Sequence, residues 1–491
     1  MKKKLEVLHS YANIAHYTGL ILMLAGILML TPLVCLFFWK NETQSAGGFV
    51  TPALIMILLG IIFWRLFKNK NGQSLDMQQS AVIVVLSWVT VCIFSAWPFM
   101  AIQKLNFTQA VFESVSGWTT TGLSVVNVQQ ASHVILLWRS IMQWAGGAGL
   151  AIIMLATIVG PTGPALGIAE GRSQQLVPQV RQSAKIVMMI YSGYAIMGVI
   201  AYYFAGMNLF DSINHTFAAI STGGFSTKTD SIGHWNSVSI EAVTLPLMIL
   251  GNLNFLTAYL FLHGDVKAIS KNGEVRLMLL MIPICSAALL FLVCTSLYPT
   301  LSKSLRVAIF ETVTALTTTG FSTVSYSNWN SFGVLLIIVL MLIGGGTCST
   351  AGGIKQYRVY ILYKSVIWDI KSFFLPASAV TENYIWQGEQ KDFISQTRIR
   401  QIGTFIFLYL ATYAIGSLII TSTGVSLEDS LFEFASALGT VGLSVGVTSP
   451  QASPVILWTE IFGMLLGRLE FFVIITGLIK ISRDFLKMCL F

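Results

Sequence analysis

The sequence predicts an all-α polytopic membrane protein. Composition and an internal repeat carry the prediction. Of 491 residues, 55% are hydrophobic and only 10% are charged, whereas a soluble globular chain carries about 25% charged residues. Long apolar runs at 81–101, at 334–343 with its flanks and at 402–420 do not alternate. A helix crosses the hydrocarbon core with about 20 such residues. A barrel strand needs about half that number, in alternation. The second observation is a short motif that recurs four times, each time between two long apolar segments.

The apolar segments give about ten transmembrane helices, at 17–38, 50–67, 81–102, 132–160, 184–206, 236–264, 274–298, 332–364, 401–422 and 452–480. Lys2, Lys3 and Lys4 precede the first run. That run is too long for a signal peptide and no small-residue cleavage pattern follows, so it reads as a retained helix. With the N-terminus inside, the inner turns and tail hold 22 of the 29 basic residues. This is a positive-inside bias that closes over ten helices. Both termini are then cytoplasmic. The net charge of +8 reflects this topology and contact with anionic lipid headgroups, and nothing in it points to nucleic acid. The six cysteines form no C-x-x-C pair, so neither a disulfide framework nor a metal site is suggested.

The motif reads Trp118-Thr-Thr-Thr-Gly122-Leu-Ser124, Ile220-Ser-Thr-Gly-Gly224-Phe-Ser226, Leu316-Thr-Thr-Thr-Gly320-Phe-Ser322 and Leu438-Gly-Thr-Val-Gly442-Leu-Ser444. Its flanks repeat too. Nine residues before the glycine stand Glu113, His215, Glu311 and Glu433, and Gly147, Gly251, Gly345 and Gly467 follow at offsets of 25, 27, 25 and 25. Four copies with shared flanks are an internal repeat. The chain divides into an N-terminal two-helix domain, 1–78, and four repeats at 79–182, 183–271, 272–397 and 398–491.

Each repeat reads as helix, short re-entrant helix, loop, helix, with all four loops on the outer side. The segments 109–118, 212–220, 305–316 and 427–438 are too short to span, and Thr108, Asp211, Ser304 and Ser426 are candidate N-caps. Irregular backbone at membrane depth is tolerated only against protein or a water-filled cavity. Four such loops around one axis meet that demand as a central pore. The helix C-termini aim about half a negative charge each at the axis. Carbonyls beside the glycines can replace a cation's hydration shell. Glu113, Glu311 and Glu433 read first as partners of the positive helix ends, and second as a cation-attracting ring.

With these residues in view, the chain resembles the Trk/Ktr/HKT superfamily of potassium transporters, most closely its TrkH/TrkG branch. The resemblance covers essentially the whole chain, including Gly344-Gly-Gly-Thr-Cys-Ser-Thr-Ala-Gly-Gly353 and Gly467-Arg-Leu-Glu470. It implies four M1–pore helix–M2 units after two extra N-terminal helices, and a selectivity filter that binds potassium. The filter residues would be Thr120, Thr121, Gly122 and Leu123; Thr222, Gly223, Gly224 and Phe225; Thr318, Thr319, Gly320 and Phe321; and Thr440, Val441, Gly442 and Leu443. Glycine rather than serine at 122 implies potassium over sodium. Val441 departs most from the family's form.

Five glycines within 344–353 make a continuous third inner helix improbable, since each costs about 1 kcal/mol against Ala. The resemblance implies that Gly344, Gly345, Gly346, Thr347, Ser349, Thr350, Gly352 and Gly353 form an intramembrane gate. Close packing by small residues is the plainer alternative. Arg468 lies deep in the last inner helix, at the level of Gly346. A guanidinium there needs partners, and carbonyls of 344–353 fit better than Glu470. The family places an arginine here as an electrostatic barrier. Gly146 to Gly149 reads as packing within a smoothly continuing helix. His215 reads as a polar residue that starts a helix.

No nucleotide fingerprint appears in the chain. The resemblance implies a cytosolic TrkA-like nucleotide-binding ring as partner, and a homodimer. It implies no organic or covalent cofactor in this chain, potassium as the transported ion, and residence in the bacterial inner membrane. Few titratable groups lie at midplane, which favours a channel-like pore over a proton- or sodium-coupled symporter. A two-repeat organic-solute transporter and a membrane-embedded enzyme fit the four loops less well.

Overall fold

The fold is that of a computed structural model describing residues 2–67, 75–149, 180–376, 382–387 and 390–490. Lys2–Leu30 and Ala46–Leu66 pack closely on each other. A Cβ on Gly60 would strike Met23 and the carbonyl of Gly19. Small residues let two helix backbones approach in this way.

Four units of one design follow. Met77–Ser95, Val180–Phe204, Gly273–Leu289 and Gln396–Thr421 are the first helices. The short helices are Phe107–Trp118, Leu209–Ile220, Leu301–Leu316 and Leu427–Leu438. The inner helices begin at His133, Val238, Ser331 and Pro454. The short helices are caged by the long ones: Phe112, Phe310, Phe432 and the carboxyl-bearing residues beside them are fully buried.

Among the described residues, six helices are long and apolar enough to cross a membrane, and two bent pairs bring the number to eight. The two remaining expected crossings are shorter or interrupted. His133–Ala148 leads into 150–160, which lies outside the described residues, as do the turns with Lys68, Lys70 and Arg172. The crossing expected over 332–364 is Ser331–Ile343, an irregular stretch, and then Gln356–Ser372.

Three of the short helices start earlier than expected, and the fourth starts at Leu427 as expected. Their caps are Asn106, Asn208, Thr300 and Ser426, so only Ser426 stands among the four candidates. The Asn106 side chain accepts from Gln109 N at 2.9 Å and the Gln109 side chain returns a bond to Asn106 N at 3.1 Å. Asparagine caps as well as serine does; Thr108, Asp211 and Ser304 lie inside the first turn.

All four inner helices break near the aligned glycines, which corrects three continuous crossings. Val238–Asn252 meets Phe255–Leu262 at 117°, and Pro454–Leu469 meets Phe471–Lys487 at 102°. In the first repeat the helix takes in Gly146 and Gly147 but ends at Ala148, with Gly149 at φ 89°. Gly146 and Gly147 do pack closely, against Trp118 and Ser221. A small antiparallel hairpin, Tyr384–Gln387 with Gln390–Phe393, departs from the all-helical expectation.

Candidate functional site

The four loops repeat one backbone conformation. Two residues before each motif glycine, Thr120, Thr222, Thr318 and Thr440 have φ of 56°, 51°, 53° and 50°. A β-branched residue rarely adopts this left-handed geometry, which costs on the order of 1–2 kcal/mol. Its fourfold recurrence marks a shape that the surroundings impose. Gly122, Gly224, Gly320 and Gly442 follow with φ of 97°, 71°, 82° and 97°.

The glycines close the four loops into a ring. A Cβ on Gly122 would strike the carbonyl oxygen of Gly223. One on Gly224 would strike that of Thr319, one on Gly320 that of Val441, and one on Gly442 that of Thr121. Each glycine thus abuts the residue just before the glycine of the next repeat, and the fourth returns to the first. The short helices end at the same ring, with Thr119, Ser221, Thr317 and Gly439 as C-caps. Leu123, Phe225, Phe321 and Leu443 leave the ring with side chains buried in the surrounding protein.

Each loop is tied back to its own short helix. Glu113 accepts from Ser124 Oγ at 2.9 Å and from Val125 N at 2.9 Å. Glu433 accepts from Ser444 Oγ at 2.7 Å and from Val445 N at 3.1 Å. In the third repeat the tie moves one residue: Glu311 accepts from Thr323 N at 2.9 Å and from the hydroxyl of Tyr326. In the second, His215 Nδ1 donates to the Asp211 carbonyl at 2.8 Å, so Nε2 accepts from Ser226 Oγ at 2.9 Å. The carboxylates therefore do not complement helix starts. They sit inside the short helices and clamp the chain that leaves the ring.

The first inner helix adds two residues that the sequence reading passed over. Arg139 Nε donates to Glu113 at 2.7 Å, with side-chain exposures of 3% and 0%. Its other nitrogens reach Ser226 O at 3.0 Å and Ser124 Oγ at 2.9 Å. One turn on, Gln143 Nε2 donates to Gly223 O at 2.5 Å and its Oε1 accepts from Phe225 N at 3.1 Å. Both lie on one face of an apolar helix, and polar side chains at membrane depth were the available signal.

Directly against the ring lies the irregular stretch 344–353. Gly352 N donates to Thr318 Oγ1 at 2.9 Å, Thr222 and Thr350 hydroxyls meet at 3.1 Å, and a Cβ on Gly352 would strike Thr440 Oγ1. Three of the four left-handed threonines are thereby covered. The stretch is clasped from the sides. Gly346 N donates to Asn252 Oδ1 at 3.0 Å, and Thr350 Oγ1 donates to Gly251 O at 2.9 Å. Thr347 N and Oγ1 both reach Glu274 Oε1 at 2.8 Å. Gly345 N donates to Gly352 O at 3.2 Å, which joins the two limbs, and Ser349 Oγ donates to Gly346 O at 2.7 Å. Gly344 and Gly353, at φ 71° and 80°, turn the chain into and out of it.

Arg468 completes the arrangement. It donates to Thr350 O at 2.6 Å, and also to Gly146 O at 2.5 Å and Gly147 O at 3.2 Å. Carbonyls of 344–353 were expected as its partners; those of the first inner helix were not. Glu470 faces elsewhere and pairs with Arg358 at 2.8 Å. Backbone carbonyls beside the motif glycines, brought together by this ring, can exchange partners with a desolvated monovalent cation.

The sequence pattern of the TrkH family, described as a cation transport protein, matches residues 48–487. The Trk system potassium uptake protein TrkH of Vibrio parahaemolyticus is 30% identical over 493 residues, covering 95% of this chain and 98% of that protein. An uncharacterized cation transporter of Methanocaldococcus jannaschii is 29% identical over 469 residues, covering 93% of each. The crystal structure of the potassium transporter TrkH from Vibrio parahaemolyticus superposes with a TM-score of 0.82 at 27% identity, over 96% of this chain and 98% of that one.

Proposed function

Because the chain belongs to the TrkH family of cation transport proteins, we propose that it is a multi-pass protein of the bacterial inner membrane that takes up potassium through the central ring. One observation carries this reading: the four motif glycines each abut a carbonyl-bearing neighbour in the next repeat and close a single ring. Carbonyls of residues such as Thr121, Gly223, Thr319 and Val441 replace the water around potassium, and a smaller ion is held less well. The stretch 344–353 is the gate, with Arg468 both holding it and opposing cations by charge. A cytosolic TrkA-like ring moves the gate, nucleotide binds to that ring, and the chain works as a homodimer with both termini cytoplasmic.

Rubidium and sodium flux into proteoliposomes tests this. Wild type should give rubidium flux that potassium competes, and Gly122→Ser should degrade its preference over sodium. Absence of cation flux with the 344–353 stretch shortened and the ring subunit added would overturn the reading.

A second reading is symport coupled to proton or sodium. It draws on Glu460, a fully buried carboxyl behind the fourth loop that accepts from Thr448 Oγ1 at 3.0 Å. Potassium flux driven against its gradient by an imposed proton or sodium gradient would favour it.

A further inference from the structure

The residue that ends the interrupted stretch is a lysine with an unusual posture. Lys355 sits at φ 82° between Ile354 and the helix Gln356–Ser372. Its side chain folds back over the stretch it has just left. The ammonium donates to Ala351 O at 2.7 Å and stands 3.5 Å from Gly346 O. Those two carbonyls belong to opposite limbs of 344–353, so one group bridges both limbs. An ammonium has three donors and no acceptor, and carbonyl oxygens that converge on it make the kind of contact a monovalent metal ion would make.

The neighbouring contacts tie this bridge to the helix that follows. Gln356 N donates to Gly345 O at 2.8 Å and Gln356 Nε2 donates to Gly344 O at 3.1 Å. Ile354 N donates to Leu342 O at 2.9 Å. The base of the stretch is therefore stitched by the residues that begin Gln356–Ser372. A displacement of that helix along its axis would withdraw Lys355 and Gln356 together. A small cavity beside the ammonium is lined by Cys348, Ser349, Arg468 and Glu470.

We propose that Lys355 is a positioning residue of the gate: its ammonium acts as a tethered cation that holds 344–353 folded under the ring, and its withdrawal accompanies opening. This rests on the reading of 344–353 as the gate and adds to it a holding group that Arg468 does not supply.

The test uses the full chain in proteoliposomes, without a cytosolic partner, as wild type, Lys355→Met and Lys355→Arg. Basal rubidium flux should rise roughly tenfold in Lys355→Met, the equilibrium shift expected for losing one charge-assisted hydrogen bond, and Lys355→Arg should restore it to near wild type. A second readout is thiol modification of Cys348, which is buried in the closed arrangement, in a background whose other cysteines are serine. It should quicken in Lys355→Met alone. A Lys355→Met protein that is monodisperse and melts like wild type, yet keeps wild-type flux and Cys348 reactivity, would overturn the proposal. Arg468→Ala and a variant with 344–353 shortened separate the two readings. If these conduct while Lys355→Met does not, only the role of the lysine fails. If none conducts, the gate itself is misread.

Discussion

Gly442 lies against the carbonyl of Thr121, and this contact joins the last repeat to the first. The other three glycines make the same contact one repeat onward. Neither an added methyl group nor a relaxed φ fits at these positions without moving a carbonyl. Gly320→Ala and Gly442→Ala should therefore insert and assemble but lose ion preference. The measurement is rubidium against sodium flux, with a loss of at least roughly tenfold expected for one displaced carbonyl set. Wild-type preference in both variants would show that the ring is not the selective element.

The Glu113–Arg139 pair is buried and reaches into two loops. Arg139→Met leaves a carboxylate without its cation, a change that costs about 3–5 kcal/mol for a buried pair. Glu113→Gln with Arg139→Met should recover much of that loss, because no charge is then stranded. A double-mutant cycle on thermal unfolding in detergent measures the coupling; additive effects would mean that the two residues act separately.

Arg468 bonds to the interrupted stretch and to the end of the first inner helix at once. Arg468→Ala removes both ties and the positive charge, so basal cation flux should rise with normal expression. Unchanged or lower flux would contradict the barrier role.

Glu274 takes two bonds from Thr347, one from its amide and one from its hydroxyl. Glu274→Gln keeps the shape and weakens both. Hydrogen bonds to a charged group contribute about 1.5–3 kcal/mol each, against about 1 for neutral ones. Basal flux should rise severalfold, less than in Arg468→Ala. Flux equal to wild type would place the hold on 344–353 elsewhere.

Gln143 carries the second loop from outside its own repeat. Gln143→Leu should degrade ion preference with little change in unfolding temperature, since the helix surface stays apolar and filled. A selectivity equal to wild type would show that Gly223 and Phe225 hold their places unaided.

Much of this was legible in one dimension. Hydrophobic run length set the helices, and the fourfold T-x-G-x-S spacing set the ring, because a repeated backbone shape needs the same residues at the same intervals. The cluster of glycines at 344–353 announced a broken helix, since glycine weakens a helix wherever it stands. The pairing of a residue nine before the glycine with a serine two after it was also visible, as a correlation without a meaning. The meaning came with the fold: Glu113 and Glu433 clamp the serine, and His215 does so through its Nε2.

What the tertiary structure alone decided are the contacts between repeats. Arg139 and Gln143 serve the second loop from the first inner helix, and Asn252 of the second inner helix holds a stretch that belongs to the third. The bends of the second and fourth inner helices are of the same kind. Val238–Asn252 carries a proline but no glycine cluster to mark its end, and it stops where its terminal carbonyls and amides are taken up by 344–353 and not by another helical turn. Periodicity and spacing record what a segment does with its own neighbours. A hydrogen bond to a backbone group a hundred residues away leaves no period in the sequence, because it depends on where four separately folded units come to face one axis.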